Sequence, residues 1–388
     1  MNVPQRGFDP SEFQMRLARA QRLMNDHALD AMLLTTEPEI RWFTGFLTRF
    51  WESPTRPWFL LVPSSGKPVA IIPSIGAHLM GQSWIEDIRC WQSPNLVDDG
   101  VSLLADTIHD IIGTTGRIGI PSGHETHIRM PANDLQRLME RSPLISFGND
   151  HQIMAQLRMV KSDAEIEKIR HVCSIGGRAF ARMEHVPMLH RSHEAIIRNF
   201  QIIGMEEGAD WVSYVATGLG PHGYDDVISP ASSTELQVAD ILMIDTGMVW
   251  DGYFCDFDRN FSVGQNASAV TQYAWEKLKE AVDTAMDAAK PGITAADLFH
   301  VMGKIVSADL SGTSAGRFGH GLGMQLTEWP SLIDGDNTEL VEGMVLTLEP
   351  SIETKAGRIL VHEENIVITA NGCDMLTPPA PETIPVCG

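Results

Sequence analysis

The sequence has no apolar run approaching the roughly 18 residues that a membrane-spanning helix needs. Its start, Met1-Asn2-Val3-Pro4-Gln5-Arg6, is not followed by the apolar core and cleavage site of a secretory signal. No membrane partner is expected, and the cytoplasm is the default compartment. Cysteine is scarce: Cys90, Cys173, Cys255, Cys373 and Cys387 are scattered, with no pair at Cys-x-x-Cys spacing. That argues against a disulfide scaffold and against a thiolate zinc site. Positive charge is also short, with 29 Lys and Arg against 50 Asp and Glu and a formal net charge of -21. A phosphate backbone would be repelled, so no nucleic-acid partner is expected. There is no repeat of solenoid period and no low-complexity tract.

What is present is a chain of 388 residues, too long for one typical core and suited to two domains. Hydrophobic residues make up 43% and charged residues 20%, an ordinary globular balance. The first half predicts an α/β domain, residues 1–157. Asp9 is placed to cap a helix with Pro10 at its first position, and Phe13, Leu17, Ala20 and Met24 recur on one face. Strands are expected at 31–34, 58–62, 69–72 and near Ile118, with a helix at 101–112, giving helices packed on a mixed sheet. Ser162-Asp163-Ala164-Glu165 is a capping box that opens a helix running to about Glu184. The second domain, 158–388, then predicts helices near 192–207, 267–289 and 295–309 and strand pairs at 240–263 and 344–368. The Pro-rich tail after Thr377 is expected to be a surface extension.

The strongest chemical signal is a pair of acid-bearing hairpins. Ile241-Leu242-Met243-Ile244-Asp245 and Cys255-Asp256-Phe257-Asp258-Arg259 flank Asp251-Gly252, a good two-residue turn. Counting outward from that turn sets Asp245 opposite Asp258 and Gly247 opposite Asp256. Asp245, Asp256 and Asp258 then share one face. In the second hairpin, centring the turn on Ala356 sets Glu349 opposite Glu363. Carboxylates facing each other in apolar strands repel unless one keeps its proton or a cation sits between them. A cation explains both hairpins at once. His320, in Arg317-Phe318-Gly319-His320-Gly321-Leu322-Gly323, could add a nitrogen ligand, since the glycines allow close approach. Four carboxylates and one imidazole form a hard site, suited to Mn, Fe, Co or Zn.

At these residues the chain resembles the pita-bread metallohydrolases: aminopeptidase P, prolidase, methionine aminopeptidase and creatinase. The resemblance covers most of the chain. It implies a creatinase-like N-terminal α/β domain followed by a C-terminal pita-bread domain. By motif, the family's five metal ligands fall on Asp245, Asp256, His320, Glu349 and Glu363, implying two divalent ions. It also implies hydrolysis of an amide-type bond in a small molecule or short peptide. Glu349 would ligate and shuttle the proton, and the assembly would be a homodimer.

Three departures bear on the substrate. The peptidases carry a second histidine where this chain has Thr327, in His320-Gly321-Leu322-Gly323-Met324-Gln325-Leu326-Thr327-Glu328-Trp329-Pro330. Their substrate-side histidine falls at Ile228, and His222 could replace it from a shifted loop or be an exposed turn residue. Their arginine two residues before the last ligand is Val361. The resemblance therefore extends to non-peptidase branches, a dimethylsulfoniopropionate lyase and an ectoine hydrolase. A non-catalytic binding module would predict lost ligands, whereas all five are kept. Asp258 stands where the family has Thr, and could tune the metals or pair with Arg259. The stretch Phe46–Trp58 is rich in aromatics and arginine. Arg49, Trp51 or Arg56 would contact substrate across a creatinase-like dimer, or else form a packed loop.

Overall fold

The computed structural model describes residues 3–53, 56–307, 316–355 and 357–388. It divides into two compact units, Gln5–Arg158 and the chain from Met159 to Gly388.

The N-terminal unit is built on one sheet. Its strands are β1 (Ala31–Leu34), β2 (Phe59–Pro63), β3 (Val69–Pro73), β4 (Asp87–Trp91), β5 (Gly116–Ile120) and β6 (Ile145–Asn149), in the order β4-β3-β2-β1-β5-β6. The pairings β1–β2 and β2–β3 are antiparallel and the others parallel, so the sheet is mixed. β1, β2 and β3 are buried along their whole length. That is why their sequences read as unbroken apolar runs rather than alternating ones. Val101, Leu104, Ala105 and Ile108 of the helix Val101–Ile112 pack on Leu33, Leu61 and Ile71. The helix Pro10–Asp26 buries Phe13, Leu17, Ala20 and Met24, but Asp9 makes no side-chain capping hydrogen bond. Proline at the helix start is enough to fix the first turn.

In the C-terminal unit one sheet runs β18-β10-β8-β7, with β9 paired to β8. These are β7 (Trp211–Pro221), β8 (Asp240–Trp250), β9 (Tyr253–Phe254), β10 (Phe257–Val263) and β18 (Val386–Cys387). A second sheet runs β12-β11-β13-β16-β17: β11 (His320–Gly321), β12 (Glu328–Ser331), β13 (Val345–Leu348), β16 (Glu364–Ile368) and β17 (Cys373–Met375). β14 (Ser351–Lys355) and β15 (Arg358–Val361) form a separate ribbon. The helices Ala269–Ala288 and Ala295–Val306 pack through Leu278, Val282, Leu298 and Met302 into a core shared with Met243, Leu346 and Ile366. Behind β10, Phe180 of the helix Asp163–Met183 stacks near Phe200 at 4.8 Å and Phe257 at 5.2 Å between ring centroids. The capping box forms: Ser162 Oγ accepts from Glu165 N at 3.4 Å, and Ser162 N donates to Glu165 Oε2 at 2.9 Å.

Two expectations are corrected. Just ahead of His222, where a shifted loop was expected, Gly218–Pro221 is the end of the strand β7. The tail after Thr377 is not a surface extension. Ala380 and Ile384 are buried against Trp275, and β18 pairs in parallel with the far end of β10. Prolines remove donors but leave rings that pack, which composition alone does not reveal.

Candidate metal centre

The first hairpin turns at Asp251-Gly252, with φ of 48° and 79°. Positive φ at both positions matches the strand twist, and Gly252 takes it at no steric cost. Trp250 pairs with Tyr253 and Asp245 with Asp258. Between β9 and β10, Cys255 N still donates to Met248 O at 3.0 Å, whereas Asp256 N turns to Asn365 Oδ1 at 3.0 Å. Asn365 sits opposite Thr347 in the other sheet and also donates through Nδ2 to Asp256 O, so one amide ties the two hairpins together.

In the second hairpin, β13 pairs with β16 from Val345↔Val367 to Leu348↔Glu364, and β14 pairs with β15 starting at Ser351↔Val361. Both ladders keep one register, which sets Glu349 and Glu363 at the opening between them. Glu349 N instead donates to Phe318 O at 3.0 Å, and Glu363 N to Asp258 Oδ1 at 2.7 Å. These pairings count to a centre at 356, as expected, as far as Glu353↔Ile359, and change only at the tip. The register shifts between Glu353 and Lys355, so that Lys355 pairs with Arg358, and Ala356 lies outside the described residues.

His320 enters from β11, its backbone N donating to Thr347 Oγ1 at 3.1 Å. Its Nδ1 lies 2.8 Å from Gly321 O. A proton there leaves Nε2 as the free lone pair. Nε2 is 3.4 Å from Asp256 Oδ2 and 3.7 Å from Glu349 Oε1. A side chain cannot replace the neighbouring glycine, because a Cβ on Gly321 would fall 1.9 Å from Trp329 O.

Ligand atoms of Asp256, His320 and Glu363 all lie within 4.8 Å of one another. Asp245 lies close enough that its charge acts on both Asp256 and Glu363. Burial pushes Asp245 and Glu349 up to about 7, and Asp256 and Glu363 well above the carboxylate range. Neighbouring carboxylates add to each shift. Burial also holds His320 down to about 3, as a neutral imidazole. Asp245 Oδ1, Glu349 Oε1 and Glu363 Oε1 are buried with no hydrogen-bond partner among the described residues. Orphaned buried acid oxygens are costly. Oxygen and imidazole donors at this spacing fit divalent cations, which would satisfy those oxygens and remove the repulsion.

The description "Metallopeptidase family M24" matches residues 167–370. This chain belongs to metallopeptidase family M24. The Creatinase/Prolidase N-terminal domain matches residues 16–160. The chain is 26% identical over 374 residues, 95% of each sequence, to a probable dipeptidase PepE of Mycobacterium tuberculosis. It is 30% identical to the Xaa-Pro dipeptidase of Pyrococcus furiosus over 281 residues, 70% of this chain and 76% of that one. Among solved structures, dipeptidase PepE from Mycobacterium ulcerans superposes with a TM-score of 0.83 at 27% identity, covering 98% of this chain and 99% of the other. The fold is thus a creatinase-type N-terminal domain and a pita-bread M24 domain, and the chain is a hydrolase of a dipeptidase-like family whose chemistry implies divalent metal ions.

Other expected M24 site residues fall elsewhere. His222 does not reach the acids. Its Nδ1 lies 3.2 Å from Ser268 Oγ, the cap of the helix Ala269–Ala288. Asp245 pairs with Ala216, six residues earlier on β7, roughly 20 Å away along a strand. Asp258 does not pair with Arg259 through its carboxylate. Arg259 Nη2 binds Glu364 at 3.0 Å, while Asp258 accepts from Glu363 N and, at 3.0 Å, from Asn260 Nδ2. Thr327 Oγ1 accepts from Arg317 Nη2 at 3.4 Å. In the N-terminal unit Trp51 is buried 5.5 Å from Trp58 and 5.0 Å from the Arg129 guanidinium, which also donates to Trp51 O and Ser53 O. Arg49 pairs with Glu52, and Arg56 stacks on Phe50 at 5.5 Å. These are packed-loop contacts, and Pro54 and Thr55 of the same stretch lie outside the described residues. Sequence reasoning missed Tyr214 and Asn365. Only strand pairing brings them to the acids, and no motif marks them.

Proposed function

We propose that this chain hydrolyses dipeptides of the Xaa-Pro type with two divalent ions, Mn, Fe, Co or Zn, held by Asp245, Asp256, His320, Glu349 and Glu363. The observation that carries the reading is the set of buried, mutually repelling acids with orphaned oxygens around one neutral imidazole. The names of the relatives, dipeptidase and Xaa-Pro dipeptidase, support the substrate class.

Asp245, Asp256, His320, Glu349 and Glu363 would together hold the ions. When bound, the ions polarise the scissile carbonyl and lower the pKa of a water. The chain supplies the rest. The Glu349 side chain is 21% exposed, against 5% for Asp256 and 2% for His320. It is placed to take the proton of the attacking water and deliver it to the leaving nitrogen. Gly321 O holds the His320 tautomer, and Asp258 and Asn365 hold Glu363 and Asp256 through their backbone nitrogens. Cytoplasmic location and a homodimer complete the reading.

Thr327 favours one competing reading, a small-metabolite hydrolase or lyase of the same family, because a hydroxyl cannot act as a cationic donor. The test is a panel of Xaa-Pro dipeptides, N-acyl amino acids and compatible solutes, assayed before and after chelation and metal return. The expected outcome is dipeptide hydrolysis, with solvent oxygen in the product, abolished by chelation and recovered with metal. Full turnover without metal, or an alkene product, would refute it.

A further inference from the structure

The five expected ligands leave one further acid in the same core. Asp258 of β10 pairs directly with Asp245 of β8 and is 1% exposed. Like charges facing each other across a strand pair are destabilising, and a buried carboxylate is costly without a cation. Neutral donors alone meet its oxygens. Oδ1 accepts from Glu363 N at 2.7 Å, and Oδ2 from Asn260 Nδ2 at 3.0 Å.

No Lys or Arg pairs with this carboxylate among the described residues. Arg259, the next residue along the strand, binds Glu364 Oε2 at 3.0 Å, and its Nη1 reaches the backbone oxygens of Asp258 and Glu363. Its charge does act on the Asp258 carboxyl, but burial opposes it more strongly. The imidazole of His362 comes near, with Nδ1 3.6 Å from Asp258 Oδ1, too long for a hydrogen bond. Burial against Trp275, 4.8 Å away between ring centroids, keeps that imidazole neutral. The charge of Asp258 meanwhile acts on Asp245, Glu349 and Glu363, three of the five expected ligands.

We propose that Asp258 is a positioning residue of the metal centre that works through its charge: hydrogen-bonded to Glu363 N, it tightens the hold on divalent ions without ligating them. The inference rests on the metal-ion reading above. With ions absent, the charge repels the ligand carboxylates. With ions bound, it attracts them, in a core where salt screens little. Asp258 therefore weakens the metal-free protein and strengthens the metal-bound one. A residue that only supported the strand would act on both in the same direction.

The experiment compares wild type with Asp258→Asn and Asp258→Thr, both neutral and both able to accept from Glu363 N. Calorimetry measures the binding of Mn²⁺ and of Zn²⁺ to each metal-free protein, and melting is followed without metal at about pH 8.5. Each variant should bind both ions at least about tenfold more weakly than wild type. Each should also melt at a higher temperature than wild type when metal-free. The threonine variant carries the test if the new amide cannot settle against Asn260. Wild-type affinity in both variants would overturn the proposal. So would weaker binding joined to a lower metal-free melting temperature in both, which would reduce Asp258 to a support for the Glu363 backbone. If wild type binds neither ion, the metal-ion reading itself fails and the role of Asp258 falls with it, whereas tight wild-type binding with unchanged variants sinks the Asp258 inference alone.

Discussion

Asp245, Asp258 and Glu349 are each held near 7 by burial, and Asp256 and Glu363 well above the carboxylate range. An unfolded carboxylate titrates at about 4. The metal-free native state therefore binds protons that the unfolded chain has released, and its stability falls as pH rises through these folded values. His320, His362 and His193 are depressed by burial to about 3, 4 and 4 and act oppositely, costing stability as pH falls below about 6.5. Above that point the carboxylates dominate. Metal-depleted protein should melt at a higher temperature at about pH 6.5 than at about pH 8.5, and divalent metal should raise the pH 8.5 value most. A melting temperature indifferent to both pH and metal would count against a buried acid cluster. At this scale the sequence was partly legible. The five expected ligands occur where acids interrupt apolar strands or glycines flank a histidine. Tyr214 and Asn365 carry no such mark, and His222 attracted attention because the family's substrate-side histidine falls nearby, at Ile228.

Among the elements, the register of both hairpins could be counted from sequence because a single physical feature fixed each. Asp251-Gly252 adopts the two positive φ values that a tight hairpin demands. The ladders of β13–β16 and β14–β15 share one register even though the pairing opens between them at Glu349 and Glu363. β7 was not legible, since Gly218, Gly220 and Pro221 are strand breakers on local grounds, and ten residues paired with β8 override them. The Pro-rich tail was misread for the same reason: its order comes from Trp275 and β10, not from its own sequence. Tight backbone approach at β11 gives a sharper prediction. Gly321→Ala would drive a methyl into Trp329 O, forcing β11 and β12 apart. Urea unfolding should show a loss of at least about 2 kcal/mol, with metal affinity lowered as His320 moves. A variant as stable as wild type would mean that β11 is not held as described.

At the scale of the whole chain, the two compact units coincide with two different kinds of sequence. In one, β1, β2 and β3 are buried along their whole length, and the other has hairpins whose apolar strands carry carboxylates. The net charge of -21 is compatible with a protein whose acids are gathered for cations rather than spread for solubility alone. The relatives extend over nearly the whole length of this chain, so both units belong to the matched architecture. The central claim is that Asp245, Asp256, His320, Glu349 and Glu363 hold divalent ions. Crystals soaked in manganese, with an anomalous difference map collected at the metal edge, test it most directly. The account predicts two peaks within ligand distance of these five side chains. Peaks confined to the surface, or none among these residues, would contradict it.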